Sequence, residues 1–231
     1  MNRILKTSSI VFLTIFIFTL TINKTQLINI EEFYSDFYVI WYALLSNTLI
    51  FLKISVGDLL YILFPLFIII YFFKIERRRD RFYFIIKIPI IVYCLFYWSW
   101  GFNYNKKSEF ELLKTNEYSI EDLYSTTEHY IKKTNDLQMK ISKSKEKKVE
   151  SNLMFTDIKN ECIKSIKKSD WIFEKSKINS FPVKKSIFST PLSYMGFSGY
   201  INPFTLEANI NYNIPDISIP VTISHEIAHQ I

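Results

Sequence analysis

The sequence predicts an α+β chain, in which a bundle of apolar helices precedes a mixed domain of helices, a small sheet and a last helix. Three observations carry that expectation. Long apolar runs fill the first hundred residues. Between residues 119 and 173, polar sequence repeats its apolar positions every three or four residues, as helices do. From Phe181 the repeat shortens to two, as in half-buried strands. Hydrophobic residues make up 49% of the 231 and aromatics 17%, which is rich for a soluble chain and favours membrane spans.

The first apolar run, Ile4–Ile22, follows Arg3 and contains Lys6 near its start. Thr19-Leu20-Thr21 is a poor cleavage site, because signal peptidases want small residues two apart; the run therefore reads as a signal anchor and first span, residues 4–22. Tyr38–Ile54 is aromatic and about as long as a short span. Val56–Phe73 is a stronger span, with Asp58 as its only charge and Pro65 placed to kink it. Lys74–Arg81 forms a short basic loop. Phe82–Trp100 is the next span, with Trp98 and Trp100 at its exit, where interfacial aromatics belong.

Basic loops stay cytoplasmic. Three spans put Arg3, Lys6 and the Arg77–Arg81 loop inside and everything after Trp100 outside. A crossing by Tyr38–Ile54 would move that loop outside. Residues 38–54 are therefore expected on the outer interface or packed on the bundle. The expectation is a multipass protein of the plasma (inner) membrane. Residues 1–101 are its transmembrane region, in contact with lipid, and residues 102–231 form an extracytoplasmic domain.

In that second region Ser119 can cap a helix, with Asp122 three residues on. Ile120, Leu123, Tyr124, Thr127, Ile131 and Ile141 fall at roughly helical spacing. Lys143–Lys148 is a charged break. A second helix is expected over Glu150–Phe173, with Phe155, Ile158, Cys162 and Ile166 as its packing stripe. Val183–Phe188 suits a strand, and Thr190–Pro203 reads as turns around Gly196 and Gly199. Leu206–Tyr212 alternates: Leu206, Ala208, Ile210 and Tyr212 face one way, Glu207, Asn209 and Asn211 the other. The strand suits either a sheet edge bordering a cleft or an interior position with a solvated polar face. Pro215 ends it, and Ser218 caps the last helix with Pro220 in its first turn.

The net charge of +6 does not indicate a nucleic-acid partner. Its five arginines are Arg3, Arg77, Arg78, Arg79 and Arg81, and the lysines of the second half alternate with acids as solvated helix faces do. No basic stripe with stacking aromatics is present there. Cys94 lies in an apolar run and Cys162 in a polar one, so no disulfide framework is implied. Nothing local supports a Cys162–His129 nucleophilic pair.

The last ten residues carry the chemistry: His225-Glu226-Ile-Ala-His229. On a helix, residues four apart stack on one face, so the two imidazoles can share one zinc ion. Glu226 lies about 100° round from His225, placed to take a proton from an attacking water without being a ligand. The bland reading is an amphipathic core helix whose histidines bond to backbone. A catalytic zinc needs three protein ligands and an open position. Only His129 remains as a further histidine, so the third ligand is expected beyond residue 231 and the domain is expected to be incomplete at its C-terminus.

Ser99-Trp-Gly-Phe-Asn-Tyr104, Phe188-Ser-Thr-Pro191, Gly196-Phe-Ser-Gly-Tyr-Ile-Asn-Pro203 and His225-Glu-Ile-Ala-His-Gln230 together give a family resemblance. The chain resembles a bacterial family catalogued as domain of unknown function 3810, multipass membrane proteins with a His-Glu-x-x-His domain of the zincin type. The resemblance implies His225 and His229 as zinc ligands and Glu226 as catalytic base. It implies a zinc metallopeptidase acting on a peptide or protein substrate. The alternative is a zincin-like membrane protein that binds or senses without catalysis.

Overall fold

The computed structural model describes residues 13–21, 30–105, 118–147, 149, 153–168, 178 and 180–230, which are mostly helical with one small sheet. The chain divides into two compact units, Met1–Lys106 with Phe155–Ile231, and Lys107–Met154. The expected division at residue 101 follows composition. In the structure residues 30–49 and 56–58 pack on the sheet and belong to the same unit as it.

In the first unit, α1 covers residues 13–21 of the expected 4–22 span; the remainder of that run lies outside the described residues. Helix α2 is Ile30–Leu49, so it starts and stops earlier than the expected 38–54. Tyr34, Tyr38 and Tyr42, each four apart, form its buried stripe. The Tyr34 ring meets Phe102 edge-on at 5.3 Å, and the Tyr42 hydroxyl donates to the Ser180 carbonyl at 2.9 Å.

Helices α3 (Val56–Lys74) and α4 (Arg78–Ser99) are each long and apolar enough to cross a membrane, and only 11% of the apolar window of each is buried. A soluble core helix of this composition would be mostly buried; α3 is exposed over most of its length, and α4 is largely half-buried or exposed. Both continue through their prolines, Pro65 and Pro89. Lys74–Arg81 is not a loop as expected. Only residues 75–77 lie outside the helices, and α4 begins at Arg78, four residues before the expected Phe82. Asp80 in its first turn suits the positive end of the helix dipole, and Arg81 Nε closes the end of α3 by donating to the Ile75 carbonyl at 2.7 Å. A short 3₁₀ helix, Gly101–Asn105, follows.

The second unit holds α5, Ile120–Ser142. Ser119 and Asp122 form the capping box expected there, and Lys143 ends the helix in the left-handed region at φ 56°. Back in the first unit, α6 is Phe155–Lys167, within the expected 150–173; residues 150–152 and 169–173 of that expectation lie outside the described residues. Ile158 and Cys162 are buried on the stripe expected of it.

The sheet has strands β1 (Val183–Lys185), β2 (Gly199–Ile201) and β3 (Ala208–Ile210), in the order β1-β3-β2. β3 runs parallel to β1, pairing Val183 with Ala208, and antiparallel to β2, pairing Gly199 with Ile210. Between β1 and β2 lies α7, Ser189–Met195, where the sequence suggests only turns; Gly196 ends it at φ 77°. The last described helix, α8, is Ile219–Ala228, entered through a 3₁₀ turn, Asp216–Ser218. The Ser218 side chain makes no cap bond, contrary to expectation; Pro220 stands in the first turn as expected.

The edge-strand reading of Leu206–Tyr212 is overturned, because β3 is the central strand. The solvated-face reading fails as well. Glu207, Asn209 and Asn211 do alternate with Ala208 and Ile210, but all three are fully buried. Their face also carries Lys184 and Tyr200, the register partners of Asn209, and it packs on the turn between α2 and α3. That turn presents free carbonyls from the end of α2 and free N–H groups from the start of α3. Lys184 Nζ donates to the carbonyls of Leu49 at 2.9 Å, Ile50 at 3.4 Å and Leu52. Glu207 accepts from the amides of Val56 at 3.2 Å and Gly57 at 2.7 Å. A cation thus meets the negative end of one helix and an anion the positive end of the next. In return, Asp58 in the first turn of α3 accepts from Ser186 Oγ at 3.1 Å, from the Ile187 amide at 2.7 Å and from the Tyr200 hydroxyl.

Candidate metal centre

Helix α8 packs on the other face of the sheet and sorts its residues into three stripes, because residues four apart stack along a helix. Ile219, Ile223 and Ile227 are buried in the core. Thr222, Glu226 and Gln230, next round the helix, are buried too. Gln230 Nε2 fixes that stripe by donating to the Leu206 carbonyl at 2.7 Å. His225 and His229 form the third stripe and are exposed. At the start of the helix, Cys162 Sγ approaches the Pro220 carbonyl at 3.7 Å, which sets α6 against α8.

The two histidines converge. Their Nε2 atoms are 3.1 Å apart, and the ring planes stand at 89°. Two nitrogens bound tetrahedrally to one zinc, with bonds of about 2.0–2.1 Å, lie about 3.3 Å apart. The pair therefore fits zinc in both donor type and separation. One protonated and one bare nitrogen can also share a hydrogen bond at this distance, so the geometry serves either state. Partial desolvation, and secondly His225, hold the His229 pKa below the usual histidine value, which favours the neutral form that binds metal. Among the described residues no group of three His, Cys, Asp or Glu side chains could hold a metal. His129 sits on α5, in the other unit.

Glu226 is 4% exposed, and burial pushes its pKa up to about 7. It is thus poised to hold or release a proton near neutrality. Gly199 makes room for it. A Cβ on Gly199 would stand 3.1 Å from Glu226 Cγ, 2.9 Å from Thr222 Cγ2 and 3.0 Å from the Asn209 carbonyl oxygen. Strand β2 can lie this close to Glu226 only because it carries no side chain at that position. Sequence reasoning misses this role of Gly199, although a lone glycine within a strand is a sign of close backbone approach.

His225 and His229 thus share one exposed face of α8, and Glu226, on the neighbouring stripe, lies against Gly199 of β2. The Leu206–Tyr212 segment does not border them as an edge; its Ala208 and Ile210 instead support α8 from beneath. No curated protein and no solved structure matches the chain. A family model described as "Protein of unknown function (DUF3810)" matches residues 33–231, a stretch that runs from α2 through both apolar helices and the sheet to the histidine pair. The chain belongs to that family, whose function is unknown.

Proposed function

We propose that this protein is a membrane-anchored zinc metallopeptidase. The observation that carries the reading is the convergence of His225 Nε2 and His229 Nε2 at 3.1 Å on an exposed helix face. Held by these nitrogens, zinc would supply a Lewis acid for the scissile carbonyl and bring the pKa of water to about 7. The Glu226 carboxylate accepts the proton of the attacking water and returns it to the departing amine nitrogen. Substrate lies along β2, whose outer edge is unpaired among the described strands, so an extended peptide can add there through backbone hydrogen bonds. Helices α3 and α4 anchor the chain in the plasma (inner) membrane, with the sheet and α8 on the extracytoplasmic side.

Titration with cobalt(II), which takes the place of zinc and absorbs visible light, tests the metal site. One equivalent should bind to the intact protein, and His225→Ala and His229→Ala should each abolish the absorption. Absorption that survives either change overturns the reading. One observation favours a second reading, a zincin-like domain that binds metal without catalysis: no third ligand joins the pair among the described residues. A metal that binds tightly without supporting hydrolysis of any peptide would select it.

A further inference from the structure

We propose that α7 and its flanks, Ile187–Phe197, dock on the lipid surface of the bilayer that α3 enters. The proposal rests on α3 being a membrane span.

The sheet fixes how near the bilayer this segment sits. Gly57 and Asp58 of α3 are buried against the sheet, whereas Leu59–Phe67 are exposed without a break and entirely apolar or aromatic. A helix rises 1.5 Å per residue, so the bare apolar surface starts within one turn of the sheet. A sheet held that close to the span lies against the membrane interface. Ile187 is the residue whose amide bonds to Asp58 at 2.7 Å, so the segment begins level with the buried turn of α3.

The composition of the segment fits that position. Ile187–Phe197 contains no charged residue, in a chain with 22% charged residues. Its side chains at Ile187, Tyr194, Met195 and Phe197 are 52%, 89%, 60% and 56% exposed. A soluble surface rarely groups four large apolar side chains in eleven residues. Aromatic and aliphatic residues of this kind are the ones a peripheral helix sinks into the boundary between headgroups and acyl chains. Tyr61 of α3 and Tyr200 of β2, with rings 6.2 Å apart, join Phe188, Leu192, Met195 and Phe197 around an apolar groove of about 320 Å³. One wall of this groove is the span itself. The groove is therefore continuous with the hydrocarbon, and its occupant is the end of a lipid acyl chain.

Spin labels on the full chain, reconstituted in phosphatidylcholine–phosphatidylglycerol vesicles, test the proposal. Cys94 and Cys162, both buried, are replaced by alanine, or left in place if the replaced chain does not fold. Labels go on Tyr194→Cys and Phe197→Cys. Leu66→Cys, midway along α3, is the hydrocarbon reference, and Val221→Cys, on α8 across the sheet, is the aqueous one. Relaxation by oxygen reports lipid, and relaxation by a water-soluble nickel chelate reports water. The oxygen-to-nickel ratio at 194 and 197 should be several-fold above that at 221 and approach that at 66. A ratio equal to that at 221, with 66 in lipid, overturns this proposal and leaves the span standing. Labels shielded from both reagents would mean a protein or peptide covers the segment and would also overturn it. An aqueous ratio at 66 removes the span and this proposal together.

Discussion

Glu207 Oε2 accepts the backbone N–H of Gly57 at 2.7 Å, so a side chain of the sheet closes the amino end of α3. The same carboxylate accepts from Ser55 Oγ at 3.3 Å and Thr205 Oγ1 at 3.0 Å. It is fully buried, and its charge is offset by the free N–H groups of the helix start and by these hydroxyls.

Glu207→Gln keeps the shape but loses the charge and turns an NH₂ toward groups that already donate. It should cost about 1–3 kcal/mol, the range for a buried polar group left without its partner. Thermal unfolding in detergent checks this. An unchanged midpoint would mean that the carboxylate does not tie the sheet to α3.

Lys184→Met probes the same joint from the other helix. Methionine fills similar space but leaves the carbonyls of Ile50 and Leu52 without the lysine donor, while the Leu49 carbonyl keeps only the Leu52 N–H at 3.1 Å. Loss of about 1–3 kcal/mol is expected, together with faster amide exchange at the end of α2, read by mass spectrometry.

Gly57→Ala tests how tightly the joint is closed. The added Cβ would stand 2.5 Å from Asn202 Nδ2 and 2.7 Å from Thr205 Oγ1. Asn202 cannot easily yield, because its Oδ1 accepts from the Phe204 amide at 2.9 Å and the Thr205 amide at 3.1 Å. Overpacking of this kind costs about 1–3 kcal/mol, so the melting temperature should fall although alanine is the better helix former. A gain in stability would show that the turn is looser than this packing.

These joints explain where the sequence is legible and where it is not. The stripes of α8 follow from the 3.6-residue repeat alone, so the placement of His225, Glu226 and His229 is visible in the spacing. The alternation of Glu207, Asn209 and Asn211 is equally visible, but alternation says only that three side chains share a face. It assigns them to water by default, whereas inside the protein the start of α3, 150 residues away, supplies partners for Glu207, and Ser193 and the Phe197 carbonyl supply them for Asn211. Asp58 does give a sign, as a lone acid in an apolar run, yet the partners it meets on Ser186, Ile187 and Tyr200 depend on the tertiary fold. Helix α7 escapes notice because Ser-Thr-Pro followed by glycine has the composition of a turn; packing of Leu192 into the fold outweighs it.

Gly199→Ala separates positioning from metal binding. Its Cβ would press on Glu226 and Thr222, while His225 and His229 lie on a different stripe. Zinc content should stay as it is, and turnover of peptide should fall about tenfold or more, since a small misplacement of a reacting group costs a large factor in rate. Unchanged turnover would remove β2 from the neighbourhood of the reaction.

The central claim is that the histidine pair holds the metal and Glu226 moves the proton. Zinc content and peptide turnover, measured side by side for the intact protein, Glu226→Gln and His225→Ala, test it most directly. Glu226→Gln should keep its zinc and lose roughly 10²-fold or more in turnover, the scale of a missing general base. His225→Ala should lose zinc and activity together. Full turnover in Glu226→Gln, or zinc retained by His225→Ala, would contradict the account.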